Sequence, residues 1–300
     1  MSRRPHSAAA RVRGLSLIEL MVGMVIGLML SGAAIGVFLS NKQVFTTTDN
    51  LGRMQDNGRF AFESLARDIR EAGGNPCSRH LPIANTLNDP GNNWWSNWGE
   101  PVQGTEGAAG GSDSIIIKSG GDTGLSVTAH NASSAGFKVS SNNHGLKDGD
   151  ILMICDYTQA SIFQATNVNE KNREVGHNTG TATPGNCTKD LGLPLDCTPG
   201  GKTSGKTYGA NSVITKLQAV RWYVAANGRG SNSLFRDTLG VTAASTAGTS
   251  AEEMIDGVVS LQLSYLVSGA NVYVAASSVA ADRWRDVIAV RADLTLESES

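Results

Sequence analysis

The chain has 300 residues, of which 40% are hydrophobic, 17% are charged and 35 are glycine. A formal net charge of −2 gives no basic footprint for nucleic-acid binding, and the low charged fraction argues against a disordered polyelectrolyte. Four cysteines are too few for a disulfide-dense scaffold, whereas abundant glycine with few charges predicts many turns and a β-rich body.

The N-terminus carries a targeting signal. Residues 1–14 contain four arginines and no acidic residue, and residues 20–39 contain no charge. A helix over this uncharged run is about 30 Å long, which matches the core of a bilayer. The positive-inside rule places residues 1–14 in the cytoplasm and the remainder outside. A cleaved secretory signal ending near the sequence LSGAA is an alternative, although its apolar core would be unusually long.

Two details of this segment go beyond a plain membrane anchor. Glu19 begins the apolar run, where a carboxylate is costly in lipid and is therefore a functional candidate, or else an interfacial side chain that reaches the headgroups. Small residues also recur every four positions, which favours close packing of helices in lipid, although glycine is common in membrane helices. They are Gly23, Gly27 and Ser31 in one series and Gly32 and Gly36 in another.

The sequence Gly14-Leu15-Ser16-Leu17-Ile18-Glu19 resembles the type III signal of type IV pilins and pseudopilins. The resemblance implies that a prepilin peptidase cuts after Gly14 on the cytoplasmic side and methylates the new N-terminus at Leu15. Leu15 departs from the family, in which the first mature residue is more often Phe. A carboxylate at Glu19 of one subunit would pair with the terminal ammonium of its neighbour during docking, because burial of either charge alone is penalised.

The segment after the apolar run predicts a continuation of the same helix. Its apolar residues recur at spacings of three, four or seven: Val44, Leu51, Met54, Gly58, Ala61, Leu65, Ile69 and Ala72. We therefore expect one helix from about Leu15 to Ala72, half in lipid and half packed on a soluble body, ending at the glycine pair 73–74. Its charged face is interpreted as a solvated surface, with a partner contact as the alternative.

A second resemblance extends over most of the chain. The sequence RMQDNGRFAFESLARDIREAGG before Cys77, the segment DGDILMICDYTQASIFQATNV and the late segments VRWYV and DVIAVRADLTL are similar to the minor pilin family PilW. Segments rich in β-branched residues predict strands at 114–118, 125–129, 136–139, 151–155, 162–168, 213–224, 258–267 and 286–296.

The predicted fold is therefore α+β and type IV pilin-like, with a long N-terminal helix packed on an antiparallel β-rich domain. Its parts are a cleaved leader (1–14), a transmembrane and filament-core helix (15–39), an amphipathic half-helix (40–74) and a periplasmic β-rich domain (75–300).

Disulfide bonds are permitted if the body lies outside the cytoplasm. Four cysteines allow three connectivities. Cys187 and Cys197 close a short loop and could pair locally, which would leave Cys77 after the helix to pair with Cys155 in a strand. Zinc is disfavoured, because there is no CxxC sequence and no nearby pair of histidines.

Other motifs give no support for an enzyme, a metal or a cofactor. Residues 200–207, GGKTSGKT, match the phosphate-loop pattern but lack the strand before and the helix after that phosphate binding requires. The turn at 148–150 lacks the repeated acids of an EF-hand, and no GxSxG hydrolase sequence occurs. Three tryptophans in a polar loop, Trp94, Trp95 and Trp98, either form an exposed binding patch or fold back to cover the sheet.

The resemblance implies a non-enzymatic minor type IV pilin that primes pilus assembly within a tip complex. Its partners would be the prepilin peptidase, other minor pilins, the major pilin, a tip adhesin and the inner membrane, with no direct nucleic-acid contact. It would cross the bacterial inner membrane once, hold its body in the periplasm and then enter the pilus.

A type II secretion pseudopilin and a pilus-tip binding module that uses the tryptophan loop are the alternatives. Glu19 counts against the large capping pseudopilin, which typically lacks that acid.

Overall fold

The computed structural model describes residues 16–74, 76–78, 81–121, 124–180, 182–241 and 246–297. It confirms the α+β class: helix α1 (Leu17–Glu71) is followed by a β-rich region that is mostly antiparallel. The predicted single helix therefore agrees with α1 to within two residues at each end. The chain divides into two compact units, Met1–Arg53 and Met54–Ser300.

The described residues of the second unit form fourteen strands. They are β1 (Ile83–Asn85), β2 (Val102–Thr105), β3 (Ser114–Gly120), β4 (Leu125–Asn131), β5 (Gly136–Val139), β6 (Ile151–Cys155), β7 (Ala160–Gln164), β8 (Val168–Asn169), β9 (Glu174–Gly176), β10 (Val213–Ala226), β11 (Asn232–Val241), β12 (Ala247–Asp256), β13 (Val258–Val267) and β14 (Val287–Leu296).

Every predicted strand segment overlaps an observed strand, but the segment 162–168 is divided between β7 and β8. The β11–β12 hairpin was not predicted. Its sequences NSLFRDTLGV and AGTSAEEMID contain few β-branched residues, so propensity alone gives a weak signal. Pairing with β10 nevertheless holds β11 in the sheet, and β12 pairs with β11.

Strand β10 is the centre of the larger sheet. Its residues 213–216 pair with β6, residues 217–222 pair with β3, and residues 220–226 pair with β11. Most pairs in this sheet are antiparallel, while β1 pairs with β7 in parallel. Strands β13 and β14 form a separate two-stranded sheet. A single strand of 14 residues thus connects β6 at one end with β3 and β11 at the other.

The end of α1 packs on the body through its apolar stripe. Ala61 and Leu65 are buried, and Ile69 and Ala72 are partly buried, in one hydrophobic core with residues of β2, β3 and β10–β13. The helix comes close to β14 at Gly58, where an added Cβ would lie 3.1 Å from Leu296 Cδ1. Glycine at this position, which has no side chain, therefore allows the close approach.

Two disulfide bonds occur, with the pairing that the spacing favoured. Cys77–Cys155 joins the segment after α1 to β6 and spans 78 residues, with a Cα–Cα distance of 6.0 Å. Cys187–Cys197 closes a local loop of 10 residues. The first bond joins the segment that follows α1 to the sheet, whereas the second constrains only one loop.

The two disulfides are expected to differ in their effect on stability. A cross-link removes more entropy from the unfolded chain when it closes a longer loop, so replacing Cys77 and Cys155 by serine should lower the free energy of unfolding by about 2 kcal/mol more than replacing Cys187 and Cys197. Urea unfolding of the full chain in detergent micelles measures the free energy of unfolding of both double variants. Equal losses from the two double variants would contradict this expectation.

Candidate assembly site on the N-terminal helix

The first part of α1 is apolar and uncovered. Every large apolar side chain in residues 17–39 is more than half exposed, and α1 is long and apolar enough to cross a membrane. Apolar surface of this extent is unfavourable in water, since each buried Å² of such surface is worth about 25 cal/mol. The segment therefore needs lipid or other helices around it.

Glu19 takes part in a capping box at the start of α1. The Ser16 backbone N–H donates to Glu19 Oε2 at 2.9 Å, and the Glu19 N–H donates to Ser16 Oγ at 3.3 Å. This reciprocal pair satisfies two N–H groups that the first turn of a helix leaves without partners. The predicted docking carboxylate is thus held in place by its own helix while it remains exposed. Gly14 and Leu15, the predicted cleavage and methylation residues, lie outside the described residues.

The small residues of the apolar segment are open on the helix surface. An added Cβ at Gly23, Gly27, Gly32 or Gly36 would meet no atom within 4 Å, and Ser31 is exposed. No described part of the chain covers them. Close approach of another helix is therefore sterically possible along both predicted series.

Asp68 anchors the soluble end of α1 to the sheet. Its Oδ2 accepts hydrogen bonds from Trp222 Nε1 on β10 and from Arg236 Nε on β11, both at 2.8 Å. Arg236 Nη2 also donates to Oδ1 at 3.2 Å, which makes the ion pair bidentate. Asp68 is only 8% exposed, so the charge depends on these partners. We call the group Asp68–Trp222–Arg236 the carboxylate anchor.

The sequence interpretation missed the carboxylate anchor. It placed the charged residues of this helix on a solvated face, whereas Asp68 lies between Leu65 and Ile69 in the apolar stripe. An acid within an apolar stripe was the available signal, because a buried carboxylate requires a donor on the surface it faces. Its two donors, on strands distant in sequence, could not be identified from spacing.

Two of the three rings of the tryptophan loop are buried, as in the second of the two alternatives that the sequence left open. Trp95 is 3% and Trp98 8% exposed, and both pack in a hydrophobic core with residues of β6, β7 and β10. Trp94 is half-buried beside them. Each ring carries enough apolar area that folding back on the sheet is favourable. The alternative, in which the loop covers the sheet, is what the structure shows.

Charged groups lie beneath this loop. Lys118 on β3 is 2% exposed, and its ammonium donates to the Glu100 carbonyl at 3.3 Å. Burial lowers the pKa of Lys118 to about 8. Arg221 on β10 bonds Asp237 at 2.9 Å and lies 5.1 Å from the Trp94 ring. The Lys118 hydrogen bond and the Arg221 cation–π contact therefore link the tryptophan loop to β3 and β10.

The phosphate-loop pattern does not form a phosphate site. Residues 200–207 are irregular, and they lead toward strand β10 rather than a helix. Lys206 is engaged in an ion pair with Asp156 at 2.7 Å. Across the described ranges, no group of three or more His, Cys, Asp or Glu side chains is arranged to hold a metal ion.

Two family models match the chain. The prokaryotic N-terminal methylation motif matches residues 9–35, and the type IV pilus-assembly protein W family, PilW, matches residues 221–300. No curated protein and no solved structure matches the chain. The matches support a type IV minor pilin similar to the PilW family.

The first match contains the predicted cleavage site, Glu19 and most of the small residues, so the prepilin-type signal is confirmed. The second begins at Arg221 and includes Trp222 and Arg236, the two sheet residues of the carboxylate anchor. An apolar helix with this signal fits a pilin anchored in the inner membrane, with a C-terminal globular region, that is part of the pilus. The similarity also implies contacts with pilus components such as the prepilin peptidase and other pilins.

Replacing Asp68 by alanine should lower the free energy of unfolding by about 3 kcal/mol, because it leaves the Arg236 charge and the Trp222 N–H without their acceptor. Asp68→Asn, which keeps an acceptor for Trp222, should cost less. Urea unfolding of the full chain in micelles, followed by tryptophan fluorescence, measures both. Glu63→Ala, at the exposed Arg59–Glu63 pair, is the matched control and should have little effect. An equal effect of Asp68→Ala and Glu63→Ala would show that the carboxylate anchor does not stabilise the fold.

Proposed function

We propose that this chain is a non-enzymatic minor pilin that primes pilus assembly within a complex of minor pilins at the tip. The observation that carries the proposal is Glu19, a carboxylate at the start of an otherwise apolar and fully exposed segment. Both family matches support a minor pilin involved in assembly. The proposal goes beyond those matches in assigning a priming role and a position at the tip.

Docking would proceed through Glu19. Cleavage after Gly14 creates an ammonium group at Leu15, which is costly to bring into a packed bundle of apolar helices. Glu19 of an adjacent subunit offers the opposite charge, and the capping box already fixes the position of its carboxylate. Charge pairing then selects the register in which two helices meet.

Helix packing would follow. The open glycines and Ser31 allow a second helix to approach closely, and van der Waals packing is the main source of association in lipid. The carboxylate anchor holds the later part of α1 on the sheet of the second unit. The β-rich body would then make lateral contacts with other pilins.

Glu19→Ala is expected to insert into the membrane normally and to be absent from pili, because it loses the docking charge and leaves the apolar run unchanged. Immunoblots of membrane and sheared-pilus fractions measure insertion and incorporation separately. Ser16→Ala is the matched control, since it removes one capping hydrogen bond but keeps the carboxylate, and it should remain in pili. Wild-type amounts of Glu19→Ala in pili would contradict docking through this residue.

Deletion of the gene separates priming from the alternative secretion role. Loss of surface pili, with partial recovery when the retraction motor is also absent, is the result expected for a subunit that starts assembly. Normal pili with blocked export of folded enzymes would instead indicate a type II secretion pseudopilin. Electron microscopy of pili and assays of exported enzyme activity give the two readouts.

A further inference from the structure

Two histidines form a close pair in the β-rich body, away from the assembly helix. His130 on β4 and His177 after β9 have their Nε2 atoms 3.0 Å apart. Both rings lie against Phe137, with centroid distances of 4.2 Å and 4.7 Å. His177 is completely buried. The proposed function makes no use of this pair.

The hydrogen bonds determine where the protons lie. The Tyr208 backbone N–H donates to His130 Nδ1 at 3.1 Å, so the neutral His130 ring carries its proton on Nε2. That N–H donates to His177 Nε2, which places the His177 proton on Nδ1. In this arrangement His130 Nε2 has no lone pair for a metal between the rings. The pair is therefore a neutral hydrogen-bonded unit.

The pair is connected to the loop of residues 187–208, here called the cystine loop because it contains the Cys187–Cys197 bond. His130 holds the backbone of Tyr208 at the end of the loop. The Tyr208 hydroxyl bonds Ser161 Oγ at 2.5 Å, and Ser161 Oγ donates to the Leu191 carbonyl at 2.6 Å. One network thus fastens two points of the cystine loop to β4 and β7.

The surroundings disfavour a positive charge on either ring. Burial lowers the pKa of His130 to about 4, and burial together with the neighbouring His130 lowers the pKa of His177 to about 3. The Lys189 ammonium adds repulsion at His177. Neither ring makes a salt bridge with a carboxylate in the described part of the chain.

The remaining charges near Tyr208 do not titrate in the same range. Lys206 lies 4.8 Å from the Tyr208 ring and pairs with Asp156. Burial opposes ionisation of Asp156, but hydrogen bonds from Lys206, Thr158 and Gln159 lower its pKa to about 2. The Lys206–Asp156 pair therefore persists at pH 4.5, and the histidines are the groups that respond.

We propose that the His130–His177 pair is an acid-sensitive latch: the neutral pair holds the Tyr208 end of the cystine loop on β4, and protonation of either ring loosens it. A proton on His130 Nδ1 removes the acceptor of the Tyr208 N–H. A proton on His177 Nε2 directs two N–H groups at each other. The first change separates the Tyr208 backbone from β4, and the second separates the two rings that hold His130 in place, while the Ser161 bonds to Tyr208 and Leu191 remain.

The direction of the pH effect follows from proton binding. The released state takes up protons at the ordinary histidine pKa near 6.5, whereas the latched state resists them until a much lower pH. The latch is fully stable above about pH 6.5 and weakens progressively as the pH falls. An exterior that becomes acidic would thus change one loop of the subunit.

Hydrogen exchange followed by mass spectrometry tests the latch on the full chain in detergent micelles, with exchange times corrected for the intrinsic pH dependence. From pH 7 to pH 4.5, protection of residues 187–208 should fall about tenfold or more, while residues 61–71 of α1 keep theirs. His177→Gln, whose amide oxygen accepts the His130 N–H without titrating, should match the wild type at pH 7 and retain more protection at pH 4.5.

His144→Gln is the matched control, because His144 is buried in another loop, where its Nδ1 accepts the Leu146 N–H. It should leave the acid response of residues 187–208 unchanged. Unaltered protection of the wild-type loop at pH 4.5 would overturn the proposal. Simultaneous loss across the loop and α1, or an unchanged acid response in His177→Gln, would overturn it equally, since either would indicate general acid unfolding or another titrating group.

Discussion

A buried carboxylate on α1 sets the constraint on which the rest of the body depends. Asp68 can leave water only where Trp222 and Arg236 both donate to it, so the helix has one favourable register on the sheet. In that register Ala61 and Leu65 enter the core. The register also requires β10 and β11 to be neighbours, because one donor comes from each strand. Hydrophobic burial supplies most of the stabilisation, and the charge selects the geometry.

The same helix is adapted to two different surroundings. Its later part satisfies a buried acid with specific donors, while residues 17–39 expose apolar side chains to whatever surrounds them. Only lipid or other apolar helices can cover that surface, and the open glycines suit both. A helix with this division can exchange lipid for other apolar helices without refolding, because the exchange takes place around a helix that already exists.

Periodicity and composition predicted the features with strong local signals. The uncharged run, the apolar stripe and the β-branched segments correspond to α1 and to most of the long strands. The β11–β12 hairpin is local, and it was missed because its strands contain few β-branched residues. The burial of Asp68 and the His130–His177 pair were not predicted, because each depends on partners far away in sequence. The tryptophan loop shows the same limit: three rings in a polar loop are compatible with exposure or burial, and only the sheet beneath them decides.

The Cys77–Cys155 bond has a mechanical consequence if α1 is pulled, as it would be in the proposed pilus subunit. A pulling force applied along α1 is transmitted through the chain after Glu71 and reaches Cys77 a few residues later. From there a covalent path leads directly into β6, so the 78-residue stretch between the two cysteines carries little of the load. Strands β1–β5 lie within that stretch. The force therefore bypasses β1–β5 and enters the sheet at β6, which pairs with β10, the longest strand described.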